Sequence, residues 1–128
     1  MDYRDLHVYQ KAFALAIEIF HITKRFPKEE LFGLTGQIRR SSRAVCSNFA
    51  EGYRKRQYQP HFLSKLSDSD MENTETQVWL DFSRACEYIT EAEHKNLFEK
   101  SLDVGSGLNY MMNNPEKFLP KSLKQPRR

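Results

Sequence analysis

Apolar residues recur along this chain at spacings of three and four, the period of a helix seen from one side. Leu6, Tyr9, Phe13, Ile17 and Phe20 make one such row, and Val8, Leu15, Ile19 and Ile22 make a second. Together they predict a helix over residues 5–25, with Asp5 as its N-cap and Phe26 and Pro27 ending it. A helix apolar on two faces meets neighbours on both, which points to contacts between subunits beside those of the core. Pro27 followed by Glu29 and Glu30 predicts the acidic first turn of a second helix, carried by the row Leu31, Leu34, Ile38, Val45 and Phe49 as far as Gly52. Pro60 predicts the start of a third helix over 61–89. Its stripe of Trp79, Phe82, Cys86 and Ile89, traced back at the same spacing, runs into Glu75, Glu72 and Asp68. Thr90 and Glu93 read as a capping box opening a fourth helix over 91–113, where Gly105 and Gly107 are expected to admit another backbone at close range. No strand alternation or internal repeat interrupts the series. The expected fold is all-α, an antiparallel up-down-up-down four-helix bundle over residues 1–114, followed by a basic tail over 115–128 that is expected to stay flexible unless something docks it.

Composition fits that picture and narrows the function. The 128 residues suit one domain, and 39% hydrophobic with 29% charged residues suits a charged helical protein. No run approaches the roughly 18 apolar residues of a membrane span, and the opening MDYRDLHVYQ is too polar for a secretory signal, so a cytoplasmic protein with no membrane partner is expected. Cys46 and Cys86 lie far apart without metal-ligand spacing and read as buried free thiols. The net charge of +3 hides a separation: residues 39–56 carry six Arg or Lys against the single Glu51, whereas 68–75 carries four carboxylates and no base.

The basic residues centre on 37–52, QIRRSSRAVCSNFAEG, and the run Tyr53, Arg54, Lys55, Arg56 that follows. At about 100° per residue, Arg39, Arg40, Arg43 and Arg54 share an arc flanking the apolar row of the second helix, together with the small residues Cys46 and Ala50. One reading makes Arg39 and Arg43, with Glu51, part of an internal ionic network facing Asp68, Glu72 and Glu75, because an antiparallel neighbour brings those carboxylates to the same height and guanidinium forks suit them. The other makes the arc a track for phosphates. Arg54, Lys55 and Arg56 have no matching acids in sequence and are the candidate nucleic-acid contacts, with Arg40 the ambiguous member between the two sets. Tyr53 and Tyr58 could stack on bases beside them.

Catalytic chemistry finds little to work with. Glu18 with His21 and Glu91 with His94 echo the Glu-x-x-His pairs of di-iron bundles, but one pair lies mid-helix and the other in a capping turn, so no metal or other cofactor is expected. His7 and His61 lack a nucleophile, Ser41, Ser42 and Ser47 lack a base, and Gly33 and Gly36 lack the Lys-Ser or Lys-Thr of a phosphate loop. The chain is expected not to be an enzyme.

Four stretches carry a family resemblance: Phe26-Pro-Lys-Glu-Glu, Gly33-Leu-Thr-Gly-Gln-Ile-Arg-Arg, Ser47-Asn-Phe-Ala-Glu-Gly and Glu75-Thr-Gln-Val-Trp-Leu. In this order they resemble the four-helix bundle proteins encoded by intervening sequences of 23S ribosomal RNA, over about residues 3–113. The resemblance places Gln37, Arg39, Arg40, Asn48, Glu51, Gly52, Glu75, Gln77 and Trp79 at signature positions. Ser41 and Ser42 stand where small apolar residues are usual, and Phe49 where Ile is. Such proteins are similar in fold to the accessory proteins of diversity-generating retroelements, so the resemblance implies a homo-oligomer, a pentamer, with RNA or another nucleic acid as possible partner. The expected function is accordingly a non-enzymatic oligomeric bundle that binds nucleic acid through a basic surface, with a protein assembly or adaptor module as the alternative.

Overall fold

The computed structural model describes residues 2–120, and all structural statements below concern those residues. Four helices form: α1 (His7–Thr23), α2 (Leu34–Arg54), α3 (Gln59–Ala85) and α4 (Glu91–Asn113). Side-chain contacts set their directions. Thr23 meets Arg39 while Tyr9 meets Phe49, Ser41 meets Thr76 while Gly52 meets Lys65, and His94 meets Asp81 while Ser101 meets Asn73. In each pair rising numbers on one helix meet falling numbers on the other, so the chain reverses at every connection. Because α1 packs on α2 and α4, and α3 packs on the same two, α1 and α3 stand at diagonal corners.

Local chemistry moves several helix ends. Asp2 and Asp5 make a capping box around a separate 3-10 turn (Tyr3–Asp5), so α1 starts at His7 rather than at an Asp5 cap. Lys28–Glu30 is likewise a 3-10 turn, and α2 starts at Leu34. Glu30 still serves that helix: its Oε1 accepts from the Leu34 N–H at 3.0 Å, a carboxylate at the positive end of the α2 dipole. The third helix stops at Ala85, short of residue 89, because Glu87 adopts φ 64° and two bonds close the end, Glu87 N–H to Arg84 O and Tyr88 N–H to Ser83 O, each 2.9 Å. The Thr90–Glu93 capping box opens α4 as the spacing predicts.

The core has two apolar halves. One is built on Val45, Phe49, Tyr53, Phe62, Leu66, Val104, Leu108 and Met111, the other on Leu15, Ile19, Phe26, Leu34, Ile38, Leu80, Ile89 and Leu97. Between them lies a buried polar layer. Asn73 donates to the Ser101 carbonyl and accepts from its hydroxyl, both at 2.9 Å, Ser41 and Thr76 share a bond of 2.8 Å across α2 and α3, and Ser69 donates to the Val45 carbonyl at 2.7 Å. This layer corrects the reading of α3. Its buried stripe is Phe62, Leu66, Ser69, Asn73, Thr76, Leu80 and Ser83, whereas Phe82 and Cys86, expected in the core, are exposed and Trp79 is half-buried. Ser, Thr and Asn can line a core without penalty when each finds a partner, and these do.

The glycines admit side chains rather than a backbone in α4: a Cβ on Gly107 would lie 2.5 Å from Val8 Cγ2, and one on Gly105 3.3 Å from the Asn73 amide. At Gly52, buried and inside α2, a Cβ would lie 2.8 Å from Lys65 Cβ, so this glycine serves a close approach of α2 to α3 rather than a bend. Packing also reaches past residue 114. Pro115–Phe118 is a 3-10 turn whose Phe118 rests on the first core half and edge-on against Tyr110, so the expected tail begins docked, and its remainder, 121–128, lies outside the described residues.

Candidate nucleic-acid interface

The basic arc on α2 resolves into residues with separate tasks. Arg40, not Arg39 or Arg43, meets the acids of α3: its Nη2 lies 3.1 Å from Glu72 Oε1 and 2.5 Å from Glu75 Oε1. These bonds, that to Glu75 foremost, raise the Arg40 pKa, and the Arg40 bond holds the Glu75 carboxyl below its usual value. Trp79 Nε1 adds a bond to the same Glu75 oxygen at 3.2 Å. The pair is not a buried one, since the Arg40 side chain keeps 48% exposure.

Arg39 turns the other way, onto the end of α1. Its Nε donates to Thr23 Oγ1 at 2.9 Å, its Nη2 to the Phe20 carbonyl at 3.3 Å, and its guanidinium lies 4.8 Å from the centre of the Phe20 ring. A cation on the last carbonyls of a helix interacts favourably with its dipole. Arg43 sits over the same ring at 5.9 Å and makes no ion pair. The expected network of Arg39 and Arg43 with Asp68, Glu72 and Glu75 is therefore replaced by Arg40 with Glu72 and Glu75. One helical position decides this, because Arg39 and Arg43 project toward α1 and Arg40 toward α3. Asp68 makes no ion pair, and Glu51 pairs with Lys65 at 2.8 Å.

The run after Gly52 divides as well. Arg56 folds back, donating to the Tyr53 carbonyl at 2.9 Å and stacking 4.0 Å from the centre of the Tyr53 ring. Tyr53 itself is buried in the core and is not free to stack on a base, whereas Tyr58 is exposed. Arg54 and Lys55 are exposed and make no ion pair. They stand at the end of the bundle where α2 finishes at Arg54, α3 begins at Gln59, and α4 ends at Asn113 ahead of the docked Phe118. Of the four candidate contacts, Arg54 and Lys55 remain available, Arg40 is engaged by carboxylates and Arg56 by Tyr53.

The two Glu-x-x-His pairs are not brought together. Glu18 binds Lys100 at 2.7 Å and Asn96 at 2.9 Å, and His94 meets Asp81 at 2.8 Å. Cys46 is half-buried and desolvation pushes its thiol up to about 11, so it is an unreactive group at neutral pH. It lines a groove of about 600 Å³ between α1 and α2, walled by Tyr9, Phe13, Ile17 and Phe20 and rimmed by Arg43.

Residues 4–110 match the family described as 23S rRNA-intervening sequence protein. The chain belongs to that family. None of the curated proteins matches it. Among solved structures, it is similar to a protein of unknown function from the S23 ribosomal protein family of Bacteroides thetaiotaomicron, at 25% identity and a TM-score of 0.75, over 84% of this chain and 96% of that one. In this chain the signature positions are mostly architectural. Arg40, Glu75 and Trp79 form one bonded chain, Gln77 donates to Ser101 Oγ at 3.0 Å, Asn48 to the Ala44 carbonyl at 3.0 Å, and Gly52 is the close crossing. The groove and the polar layer escaped the sequence reading. Their signal was the run of small residues Ser41, Ser42, Cys46, Ser47 and Ala50, which looks bland until a partner helix is set beside it.

Proposed function

We propose that the protein is a non-enzymatic, oligomeric helical bundle of the cytoplasm that binds RNA or another nucleic acid through its basic end. The observation that carries this reading is the pair Arg54 and Lys55, exposed and without ion pairs at the end from which the chain continues into residues 121–128, a stretch with four Arg or Lys and no acid. Free cations on one end of a rigid body suit phosphates, whereas paired ones such as Arg40 would have to give up a carboxylate first. Titration of a labelled structured RNA tests it. Affinity falls steeply between about 50 and 200 mM salt, and Arg54→Glu with Lys55→Glu weakens binding and lowers the salt slope by about one for each lost phosphate contact. Unchanged affinity in the double variant, or no binding at low salt, overturns it.

A second reading, an assembly or adaptor module without a nucleic-acid role, draws support from the exposed apolar residues of α1 and α3. It expects the oligomer to persist, with its surfaces intact, in a protein that binds no RNA at low salt.

A further inference from the structure

Exposed apolar residues stand at several places on the bundle, among them Phe13 and Ile17 on α1, Leu31 and Phe32 in the connection to α2, Met71, Val78 and Phe82 on α3, and Leu102 and Tyr110 on α4. Their surroundings differ in charge. Phe13 and Ile17 line the groove rimmed by Arg43, and Leu31 borders a concavity lined by Arg39, Arg40 and Arg43. Phe82 has the opposite setting. It lines a concavity of about 310 Å³ between the start of α2 and the end of α3, together with Leu34, Trp79, Glu30, Gln37 and Cys86. Lys24, Lys28 and Lys95 stand toward the same end of the bundle, yet no Lys or Arg lines this concavity.

Aromatic rings beside a carboxylate suit a cation with an apolar stem. The Trp79 and Phe82 rings lie 5.9 Å apart at 43°, and ring faces attract Lys and Arg heads while Leu34 offers apolar surface to the methylenes. Glu30 is held in place, its Oε1 by the Leu34 N–H at 3.0 Å and its Oε2 by the Tyr88 hydroxyl at 2.9 Å. Each carboxylate oxygen has two lone pairs, so the fixed group still accepts from an incoming cation. From Phe82 an exposed apolar stripe continues to Val78 and Met71, on the side of α3 opposite its core stripe. Acids flank it. Residues 67–82 hold Asp68, Asp70, Glu72, Glu75 and Asp81 and no Lys or Arg. Arg40 meets Glu72 and Glu75, and His94 meets Asp81, while Asp68 and Asp70 make no ion pair among the described residues.

We propose that this face of α3 docks a basic, amphipathic segment of another protein. One Lys or Arg of the segment enters the concavity at Trp79, Phe82 and Glu30, and its apolar side chains rest on Val78 and Met71. Charge complementarity decides the partner's sign: the carboxylates of α3, offset by Arg40 alone among Lys and Arg, repel a phosphate backbone and draw a basic chain. The apolar stripe decides that the partner is a polypeptide, because a free polyamine brings cations without side chains to cover Val78 and Met71. The proposal goes beyond nucleic-acid binding and stands apart from it, since Arg54 and Lys55 lie at the other end of α2.

Fluorescence anisotropy with a labelled amphipathic peptide of leucine and lysine, about 14 residues or four helical turns long, tests it. The full chain binds this peptide at micromolar concentration. Phe82→Lys, at an exposed position where folding is not at stake, weakens binding by at least about tenfold, whereas Leu102→Ser on α4 leaves it within about twofold. Circular dichroism confirms that both variants remain helical. Exchanging the leucines for serine, or the lysines for glutamate, abolishes binding, and spermidine at equal charge concentration does not compete. No binding by the full chain overturns the proposal, as does an equal response of the two variants. Retained binding of the serine or the glutamate peptide, or competition by spermidine, reduces the contact to charge or to apolar surface alone and overturns it too. Equal affinity for a peptide of the chain's own residues 117–128 overturns the assignment to another protein. RNA affinity stays unchanged in Phe82→Lys, so this proposal and the nucleic-acid reading fail separately.

Discussion

Arg39, Arg40 and Arg43 look interchangeable as text and do three different things as side chains. Arg40 spans to Glu72 and Glu75, Arg39 closes the end of α1, and Arg43 rests on Phe20 at the edge of a groove. A step of about 100° between consecutive residues is enough to send neighbours to different helices. The stability attached to the Arg40 pair is modest, because a half-exposed guanidinium is screened and its loss leaves little buried charge behind. Glu75→Gln should therefore lower the unfolding free energy by about 1 kcal/mol or less at neutral pH. The sign of its pH dependence follows from the depressed Glu75 pKa. A carboxylate that ionises more readily when folded contributes fully above its ordinary value of 4.5 and loses that contribution as pH falls through the lower folded value. Urea midpoints of the two proteins should thus differ at pH 7 and converge near the acid limit of folding. A difference that stays constant with pH would assign the effect to shape rather than charge.

The helices themselves were legible wherever burial is apolar. The row Leu15 and Ile19 on α1, the row from Leu34 to Phe49 on α2, the capping box of α4 and the order of four helices follow from spacing and end chemistry, whereas Phe13 and Ile17 are exposed and Leu31 is half exposed ahead of α2. What was not legible is the face of α3, because its buried stripe is half polar and its exposed stripe holds Met71, Val78 and Phe82. A periodicity argument that equates apolar with buried places such a helix about half a turn wrong. The candidate site suffered in the same way. Arg54 and Lys55 stay free because the one acid near them in sequence, Glu51, pairs with Lys65 on α3, and the partner of Arg40 likewise depends on the register between two helices, which spacing within one helix does not contain. That register is held in part by the polar layer, in which Asn73 makes two bonds to Ser101 between α3 and α4. Asn73→Ala should destabilise by about 1–3 kcal/mol, since it leaves the buried Ser101 short of partners. Replacing both members, Asn73→Leu with Ser101→Ala, should cost less than the single change, because the two fully buried partners go together and the one donor left over, the Gln77 amide, is only half-buried. Denaturant titration of the three proteins measures this. A double variant that is less stable than Asn73→Ala would mean that packing volume, not hydrogen bonding, governs the layer.

At the level of the molecule, available cations and apolar surface occupy different places. Arg54 and Lys55 stand at one end, and Lys24, Lys28 and Lys95, also exposed and without ion pairs among the described residues, stand toward the other, while the apolar groove lies along the side of the bundle. The free thiols sit on different sides of the bundle and can report on assembly. Cys46 lines the α1–α2 groove, and Cys86 is exposed at the end of α3 beside Phe82. Assembly through the groove should cover Cys46 and leave Cys86 open. The raised pKa of Cys46 makes its alkylation slow in the single chain, so each thiol is compared with itself at one pH. Dilution below the assembly range should then raise the Cys46 rate and leave the Cys86 rate unchanged, read by mass spectrometry of iodoacetamide-treated protein. A Cys46 rate that does not change would place the contact elsewhere on the bundle. Added RNA should leave both rates unchanged if nucleic acid binds only at the Arg54 end, and an RNA-dependent protection would place it along the sides instead.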